Sequence, residues 1–518
     1  MSWIQNVGKY SGYIAKNYVM KSPKDISRTA LQKEIDVLLK YPKTFVSVIN
    51  GKNIMPNKVK EHYSPCYNHA HIYNYGVNNN FTQYYFNKTH YKEWKNMSPE
   101  KKFEIFENIA NLVEGKYFYK MMAATMVGQG KNKLEAELDC IAELVDFLRF
   151  NIQYAACIYE KQPLGRDKNI NYSQYLPLQG NVCAISPFNF TAIGANLCSA
   201  PLYFGNNVIW KPSEKSLLSN HLFHEICLEA NIPPEVISFV LMDPEYFTRQ
   251  IVSKNTGGVL FTGSTHAFKN IIQSVNYDTC FPRIVGETGG KNFHFIEESS
   301  NIVNASKKTF ESAFNYSGQK CSACSVVYVP ENSYYMFENT MKNMSKYFNY
   351  ENYGLIDNVS YKKTIETIKK CKNNENLELI MGGNYNDEES YFIEPTIFKI
   401  KNDENIEIKT KELFAPILLV KTYEPKNVLQ ELEECSNLSN YKLTGAFFSN
   451  NDELIDYASY LFENSCGNFY INDKSTGSVV GNQPFGGFGM SGTNDKAGDI
   501  NMLYKLFNQR NIKVGKNK

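Results

Sequence analysis

Gly-Glu-Thr-Gly-Gly-Lys-Asn at 286–292 and Ser-Gly-Gln-Lys-Cys-Ser-Ala-Cys at 317–324 organise the reading of this 518-residue chain. Glu287 sits in a glycine turn. Cys321 follows it by 34 residues, in a loop of small side chains. A thiol nucleophile and a carboxylate able to activate water are what acyl transfer or aldehyde oxidation needs. Glycine and serine around the thiol let a substrate come close to the backbone. Either residue alone carries little, because a single cysteine is more often a small buried hydrophobe.

On both sides of this pair the chain alternates strands with helices. Val182–Ser186, Val208–Lys211, Val236–Leu241 and Gly258–Thr262 read as strands, with a helix over Ser216–Ala230. A second alternating region runs from Phe293 through Tyr328, Phe392–Ile400, Leu418–Tyr423 and Gly445–Phe448. Such alternation implies parallel sheets, and its doubling implies two α/β domains with the site between them. Upstream, apolar periodicity predicts helices over 25–40, from Ser98-Pro99 onward, and over Glu135–Tyr154, with Glu137 and Asp139 near the start of the last. Residues from Arg149 to about 179, and the tail after Gly498, lack a clear helical period and read as strands that pair between subunits.

Composition narrows the class. Hydrophobic residues make up 43% of the chain and the net charge is +2, so nothing favours a nucleic-acid partner. Twelve scattered cysteines do not look like a disulfide framework, and no second pair accompanies the C-x-x-C at 321–324, so no metal site is read. A redox role for that pair is the alternative, with Cys324 read as a packed residue opening an apolar run. The uncharged stretch between Lys168 and Lys211 contains Pro177, Pro187 and Pro201, which break any membrane-spanning helix. The N-terminus is basic and acid-poor up to Asp25, which fits either a short targeting segment or a frayed end.

Three further segments carry chemistry. Gly263 and Ser264 follow a strand and open a helix, a place suited to pyrophosphate or to a simple N-cap. Lys211, Ser213 and Glu214 end another strand, where Lys and Glu can hold ribose hydroxyls or form a surface turn. Ile185, Ser186, Pro187, Phe188, Asn189 and Phe190 close a third, and an amide there can donate to an oxyanion.

Taken together these motifs resemble the aldehyde dehydrogenase superfamily from about residue 25 to the end. The resemblance implies Cys321 as nucleophile, Glu287 as general base and Asn189 as oxyanion donor. It implies an NAD site in which Lys211 and Glu214 face the adenine ribose and Ser264 meets the pyrophosphate. The Ile185–Phe188 turn, Ser213 and Gly263 line that site, with Glu412 and Phe414 at the nicotinamide end. Ala415 replaces the family's frequent Gly.

One branch fits best, the Δ1-pyrroline-5-carboxylate (glutamate-γ-semialdehyde) dehydrogenases. It is similar at Ala124–Lys131, Glu137–Asp139, Leu443–Phe447 and Gly467–Gly481, and again at Gln483–Gly487 and Ser491–Lys496. Phe488-Gly-Met490 and Lys442 depart from it. By this resemblance Gly477 and Ser478 anchor the substrate's α-carboxylate, Ser322 adds a hydroxyl, and Phe190 and Phe485 flank the aliphatic chain.

The implied fold is α/β with two Rossmann-like parallel-sheet domains plus a small β oligomerisation element. Its divisions are 1–285 (cofactor domain, with about 155–180 in oligomerisation), 286–475 (thiol domain) and 476–518 (anchor loop and tail). The implied protein is a homodimer or an assembly of dimers, acting on a small molecule without nucleic acid or membrane. Its address is the mitochondrial matrix, or the cytoplasm if bacterial. The alternatives are a dehydrogenase for another semialdehyde, such as succinate semialdehyde, and a catalytically silent structural member. A coenzyme-A-dependent acylating enzyme fits less well, because Glu287 supplies a hydrolytic base.

Overall fold

The computed structural model describes residues 5–22, 24–81, 92–164, 169–252, 256–277 and 281–515. Cys280 and residues 165–168 of the expected oligomerisation segment lie outside the described residues.

The first sheet contains β1 (Asn181–Ile185), β2 (Val208–Lys211), β3 (Ile237–Phe239), β4 (Thr256–Thr262) and β5 (Arg283–Glu287). Their spatial order is β5-β4-β1-β2-β3, all parallel, and the sheet continues into antiparallel strands Ser47–Ile49 and Lys52–Ile54. The second contains β6 (Asn292–Ile296), β7 (Cys324–Pro330), β8 (Thr396–Ile400), β9 (Ile417–Tyr423), β10 (Thr444–Phe448) and β11 (Asn468–Ile471). Their order is β8-β9-β7-β6-β10-β11, again parallel, with Leu377–Met381 antiparallel at the β8 edge.

Both faces of each sheet are covered, so the strands read as nearly unbroken apolar runs. Alternate side chains enter different cores. Val208 and Trp210 join one and Ile209 the other; Phe293 and Phe295 join one and Ile296 the other. The same alternation puts His294 on the face where helix Ile302–Phe314 packs.

Most expected elements are present. Ser98 caps its helix by accepting from the Lys101 N–H, with Pro99 in the first turn. The structure differs in five places. The helical stretch from 133 is three pieces: Lys133–Glu137, a π-helical turn Leu138–Glu143, and Leu144–Glu160. That last helix runs well past Arg149, because Ile152, Ala155, Ala156 and Tyr159 continue a buried stripe. Residues 392–400 are two strands, since Pro395 lacks the N–H a continuous ladder needs. Asn169–Leu176 and Asn508–Gly515 are strands, but they pair antiparallel with each other within one chain. Lastly, residues 5–22 are not a frayed end. Tyr10 donates to Glu107, Asn17 to Asp146 and the Val480 carbonyl, and the Lys21 N–H to Glu137.

No helix among the described residues is long and apolar enough to cross a membrane. Eleven cysteines there are free thiols, and Cys324 is buried at the start of β7.

Candidate active site

The C-terminal ends of β1, β2 and β4 open onto a cavity of about 1230 Å³. It lies where the strand order reverses between β1 and β4, the usual place for a nucleotide in such sheets. Ile185, Ser186, Pro187, Phe188 and Asn189 line it after β1. Lys211, Ser213 and Glu214 line it after β2, and Gly263 and Ser264 after β4. Glu412, Phe414 and Cys321 close the far end from the second domain.

Ser264 is also a true N-cap, accepting from the Ala267 N–H at 3.2 Å. It lines the cavity as well. Lys211 is buried rather than part of a surface turn. Desolvation lowers its pKa, with Glu214 acting in the opposite sense. Burial works against the Glu214 carboxylate, yet Lys211 and neighbouring cations hold it below the ordinary range. A cavity of this size lined by a helix N-terminus and by the half-buried Glu214 carboxylate fits NAD. Glu412 is not free at the other end: its Oε1 accepts from the Gly290 N–H at 2.9 Å. Burial pushes its pKa up to about 7. Phe414 holds φ +55° and meets Phe188 edge-on at 5.9 Å between centroids.

The nucleophile loop is strained and heavily tied. Tyr316, Ser317 and Gly318 have φ of +53°, +53° and +67° in succession. Glu135 accepts from the Tyr316 N–H at 2.7 Å, and the Tyr316 hydroxyl donates to the Gln129 carbonyl at 2.7 Å. Asn292 Nδ2 donates to the carbonyls of Cys321 (2.7 Å) and Ala323 (2.9 Å). Its Oδ1 accepts from the Thr444 N–H at 3.1 Å. A Cβ on Gly290 would stand 2.3 Å from the Cys321 carbonyl oxygen, which is why the motif needs glycine there. Asn189 is buried, and its Nδ2 donates to the Gln319 carbonyl at 3.0 Å. An amide nitrogen carries two hydrogens, so one remains for a ligand. The Cys321 N–H has no acceptor among the described residues.

Glu287 ends β5, off the cavity lining, while its neighbours Thr288 and Gly289 line it. Burial pushes its carboxyl up to about 7, offset only in part by the Ala497 N–H and Lys496. Cys321 is half-buried. Desolvation, then the Glu287 and Glu412 charges, push its thiol well above the ordinary value. Both the thiol and the Glu287 carboxyl are thus biased toward their neutral forms, and each lies within range of the other's charge. That pairing can move a proton from thiol or water and can support a covalent acyl intermediate.

Several residues escaped sequence reasoning. Asp139 does not serve its own helix. Its carboxylate accepts from the Thr191 and Ala192 N–H groups, both at 2.9 Å, so it caps helix Thr191–Ser199 just behind Asn189 and Phe190. Lys131 completes it at 2.7 Å, both side chains being buried, and its ammonium lies 4.0 Å from the Phe190 ring centroid. A charged side chain in an otherwise apolar helical run was the available signal. Glu143, on the π-helical turn, is raised to about 8, by burial first and Asp139 second. Lys320, next to the nucleophile in sequence, is half-buried, and desolvation lowers its pKa. Asn292 was in view as part of a motif, but its donor geometry was not.

The residues assigned to substrate lie off the cofactor cavity. Phe190 and Phe485 are half-buried, and Phe485 pairs its backbone with Ala497. Ser322 is buried. The N–H groups of Gly477 and Ser478 meet no acceptor among the described residues. The Ser478 hydroxyl, expected to take a carboxylate, instead donates to the Gln483 carbonyl. Among the loop's open donors are therefore these two peptide N–H groups.

Residues 86–512 match the Aldehyde dehydrogenase family. The mitochondrial Δ1-pyrroline-5-carboxylate dehydrogenase of Emericella nidulans is 41% identical over 441 residues, 82% of this chain and 77% of that protein. The human mitochondrial enzyme of the same name is 38% identical over 440 residues, 82% and 77% of the two chains. A crystal structure of the Mycobacterium tuberculosis Δ-pyrroline-5-carboxylate dehydrogenase bound with NAD superposes with a TM-score of 0.91. It is 32% identical and covers 97% of this chain and 96% of that one. With the family matched over most of its length, and thiol, carboxylate and amide gathered around one cleft, this chain belongs to the aldehyde dehydrogenase family.

Proposed function

We propose that this chain oxidises L-glutamate γ-semialdehyde, the open form of Δ1-pyrroline-5-carboxylate, to L-glutamate with NAD⁺. The observation that carries the reading is the placement of Cys321 in the lining of the cofactor cavity, within range of the charge of Glu287, which stands outside that lining. Relatives named for this reaction support the choice of substrate.

Cys321 loses its proton to a base and attacks the aldehyde carbon. The Asn189 amide and the Cys321 N–H stabilise the oxyanion. NAD⁺ supplies the hydride acceptor that allows the adduct to become a thioester. Glu287 then takes a proton from water, which releases the acid and frees the thiol. Lys211, Ser213 and Glu214 hold the adenine ribose. Gly263 and Ser264 hold the pyrophosphate, Ile185–Phe188 line the path, and Glu412 and Phe414 bound the nicotinamide end. Gly477 and Ser478 take the substrate's α-carboxylate through their N–H groups, with Ser322, Phe190 and Phe485 around its chain.

The ribbon of Asn169–Leu176 and Asn508–Gly515 is the element on which a homodimer, or an assembly of dimers, is built. The protein's address is the mitochondrial matrix, or the cytoplasm if bacterial; the word mitochondrial in the relatives' names supports the first. Residues 1–285, 286–475 and 476–518 act as cofactor domain, thiol domain, and anchor and tail.

Measuring NADH production with glutamate semialdehyde, succinate semialdehyde and propanal tests the substrate. Glutamate semialdehyde should lead in kcat/KM by at least ~10²-fold, because a headless substrate leaves the anchor loop's N–H donors without a ligand. Equal efficiency with propanal would sink the substrate assignment, and no NADH at all would sink the enzyme. NAD⁺ should exceed NADP⁺, since the Glu214 carboxylate repels a 2′-phosphate.

A further inference from the structure

A chain of buried hydrogen bonds joins the anchor loop to the nucleophile. His294 is fully buried on β6. Its Nδ1 is 2.8 Å from Thr309 Oγ1, and its Nε2 is 3.0 Å from Ser475 Oγ and 3.2 Å from the Ser475 nitrogen. Ser475 Oγ reaches the Ser322 carbonyl at 3.2 Å and Ser312 Oγ at 2.8 Å.

The protons can be assigned from these partners. Thr309 donates its only hydroxyl proton to the Ala305 carbonyl at 2.8 Å. It therefore accepts from His294, and the ring carries its hydrogen on Nδ1. Nε2 is then an acceptor and takes the Ser475 N–H. The Ser475 hydroxyl has two acceptors in reach, Nε2 at 3.0 Å and the Ser322 carbonyl at 3.2 Å, while Ser312 donates to Ser475 Oγ. Burial keeps the ring neutral, with its pKa lowered to about 3, so this arrangement holds across the working pH range.

We propose that His294 and Ser475 are positioning residues that couple the Gly477–Ser478 loop to the peptide following Cys321. The inference rests on the reading of that loop as the substrate anchor. Ser475 stands two residues before Gly477 and fixes the Ser322 carbonyl, while Asn292 fixes the carbonyls on either side of it. All three carbonyls of Cys321–Ala323 are thereby turned into the second domain. Binding of the substrate's head at the loop then steadies Ser322, whose N–H serves the Cys321 sulfur and whose carbonyl Ser475 holds. Headless aldehydes lack that link.

The test is a double-mutant cycle in the full-length protein between Ser475→Ala and Ser478→Gly, read as kcat and KM with glutamate semialdehyde and with propanal. Ser475→Ala should lower kcat with glutamate semialdehyde by ~10-fold and leave KM for NAD⁺ unchanged, about one lost hydrogen bond. In that background Ser478→Gly should have less than half its ordinary logarithmic effect on kcat. With propanal the two changes should add. Additive effects with both substrates overturn the coupling. Ser475→Thr keeps the hydroxyl and should restore most of kcat; a Thr variant as slow as the Ala variant also overturns it. If Ser475→Ala does not fold, the Thr309→Val cycle decides by the same criterion, since it strips the His294 ring of the acceptor that sets its tautomer. The unmodified enzyme's preference for glutamate semialdehyde over propanal separately checks the anchor reading, so the two can fail independently.

Discussion

The two parallel sheets offer opposite edges to the site and treat them differently. The first presents its C-terminal edge, at Ile185, Lys211 and Thr262, and leaves it open as a large cavity. The second presents its N-terminal edge, at Asn292, Cys324 and Thr444, and fills it with buried amide and hydroxyl groups. The Gly286–Asn292 segment passes directly from one edge to the other. An edge that binds a mobile dinucleotide needs free N–H groups and room. An edge that holds a nucleophile needs the reverse, with every carbonyl of the thiol loop pinned in advance. Substitutions at the filled edge should therefore affect kcat, and those at the open edge should affect cofactor KM.

The harshest way to break that contrast is at the sulfur. Cys321→Ala should abolish aldehyde oxidation, by roughly 10³-fold or more, while NAD⁺ binding measured by calorimetry stays nearly intact. Cys324→Ala, buried at the start of β7, should keep most activity. A dead Cys324 variant beside an active Cys321 variant would reverse the assignment. Next is Glu287→Gln, which should slow deacylation by about 10²-fold or more, leaving an NADH burst followed by slow turnover. In the unmodified enzyme turnover should rise with pH through about 7, because the base must be ionised and burial holds its carboxyl there. An unchanged steady-state rate in the Gln variant would remove Glu287 from this role.

The difference between the edges also explains what the sequence made legible. The open edge could be read, because strand ends followed by Gly-Ser or Lys-Pro-Ser-Glu have local signatures of strand, turn and helix cap. All the residues so assigned line one cavity. The filled edge could not, because its chemistry is non-local. Asn292 acts on carbonyls about 30 residues away, and Asp139 caps a helix 52 residues later. No periodicity encodes such partners. The same limit explains the missed continuation of the helix to Glu160, where Asn151 and Gln153 obscured an apolar stripe that only packing reveals. It explains as well the pairing of Asn169–Leu176 with a strand more than 300 residues away.

A matched pair of substitutions sharpens the comparison at moderate size. Asn292→Ala removes both amide donors from the nucleophile loop and should lower kcat by about 10- to 10²-fold, with KM for NAD⁺ little changed. Glu214→Gln on the open edge should do the opposite, raising KM for NAD⁺ by up to ~10-fold and narrowing the preference over NADP⁺ while kcat holds. If Asn292→Ala mainly raised KM for NAD⁺, the division between a binding edge and a chemical edge would collapse.

The smallest expected effect concerns stability, and it sits where the two regions meet. Glu143 is raised from the ordinary carboxylate value to about 8, by burial first and then by the Asp139 charge, with Lys131 and Lys320 only partly offsetting them. Between the unfolded value, near 4.5, and about 8 the folded protein holds a proton that the unfolded chain has released. More protons bound in the folded state means that stability falls as pH rises through this window. Glu287 and Glu412, both raised to about 7, act in the same direction. Glu143→Gln replaces an ionisable group with a neutral one of the same shape. It should therefore change stability little below pH 4.5 and stabilise increasingly above it, by a few kcal/mol at most near pH 8.5. Thermal unfolding of both proteins at pH 5.5 and 8.5 measures the difference. A gain in Tm that is larger at pH 8.5 supports a carboxyl desolvated in the folded state. A gain independent of pH, or a loss at pH 8.5, would mean that Lys131 and Lys320 hold Glu143 ionised in the native protein, and that this corner of the site is an ion cluster.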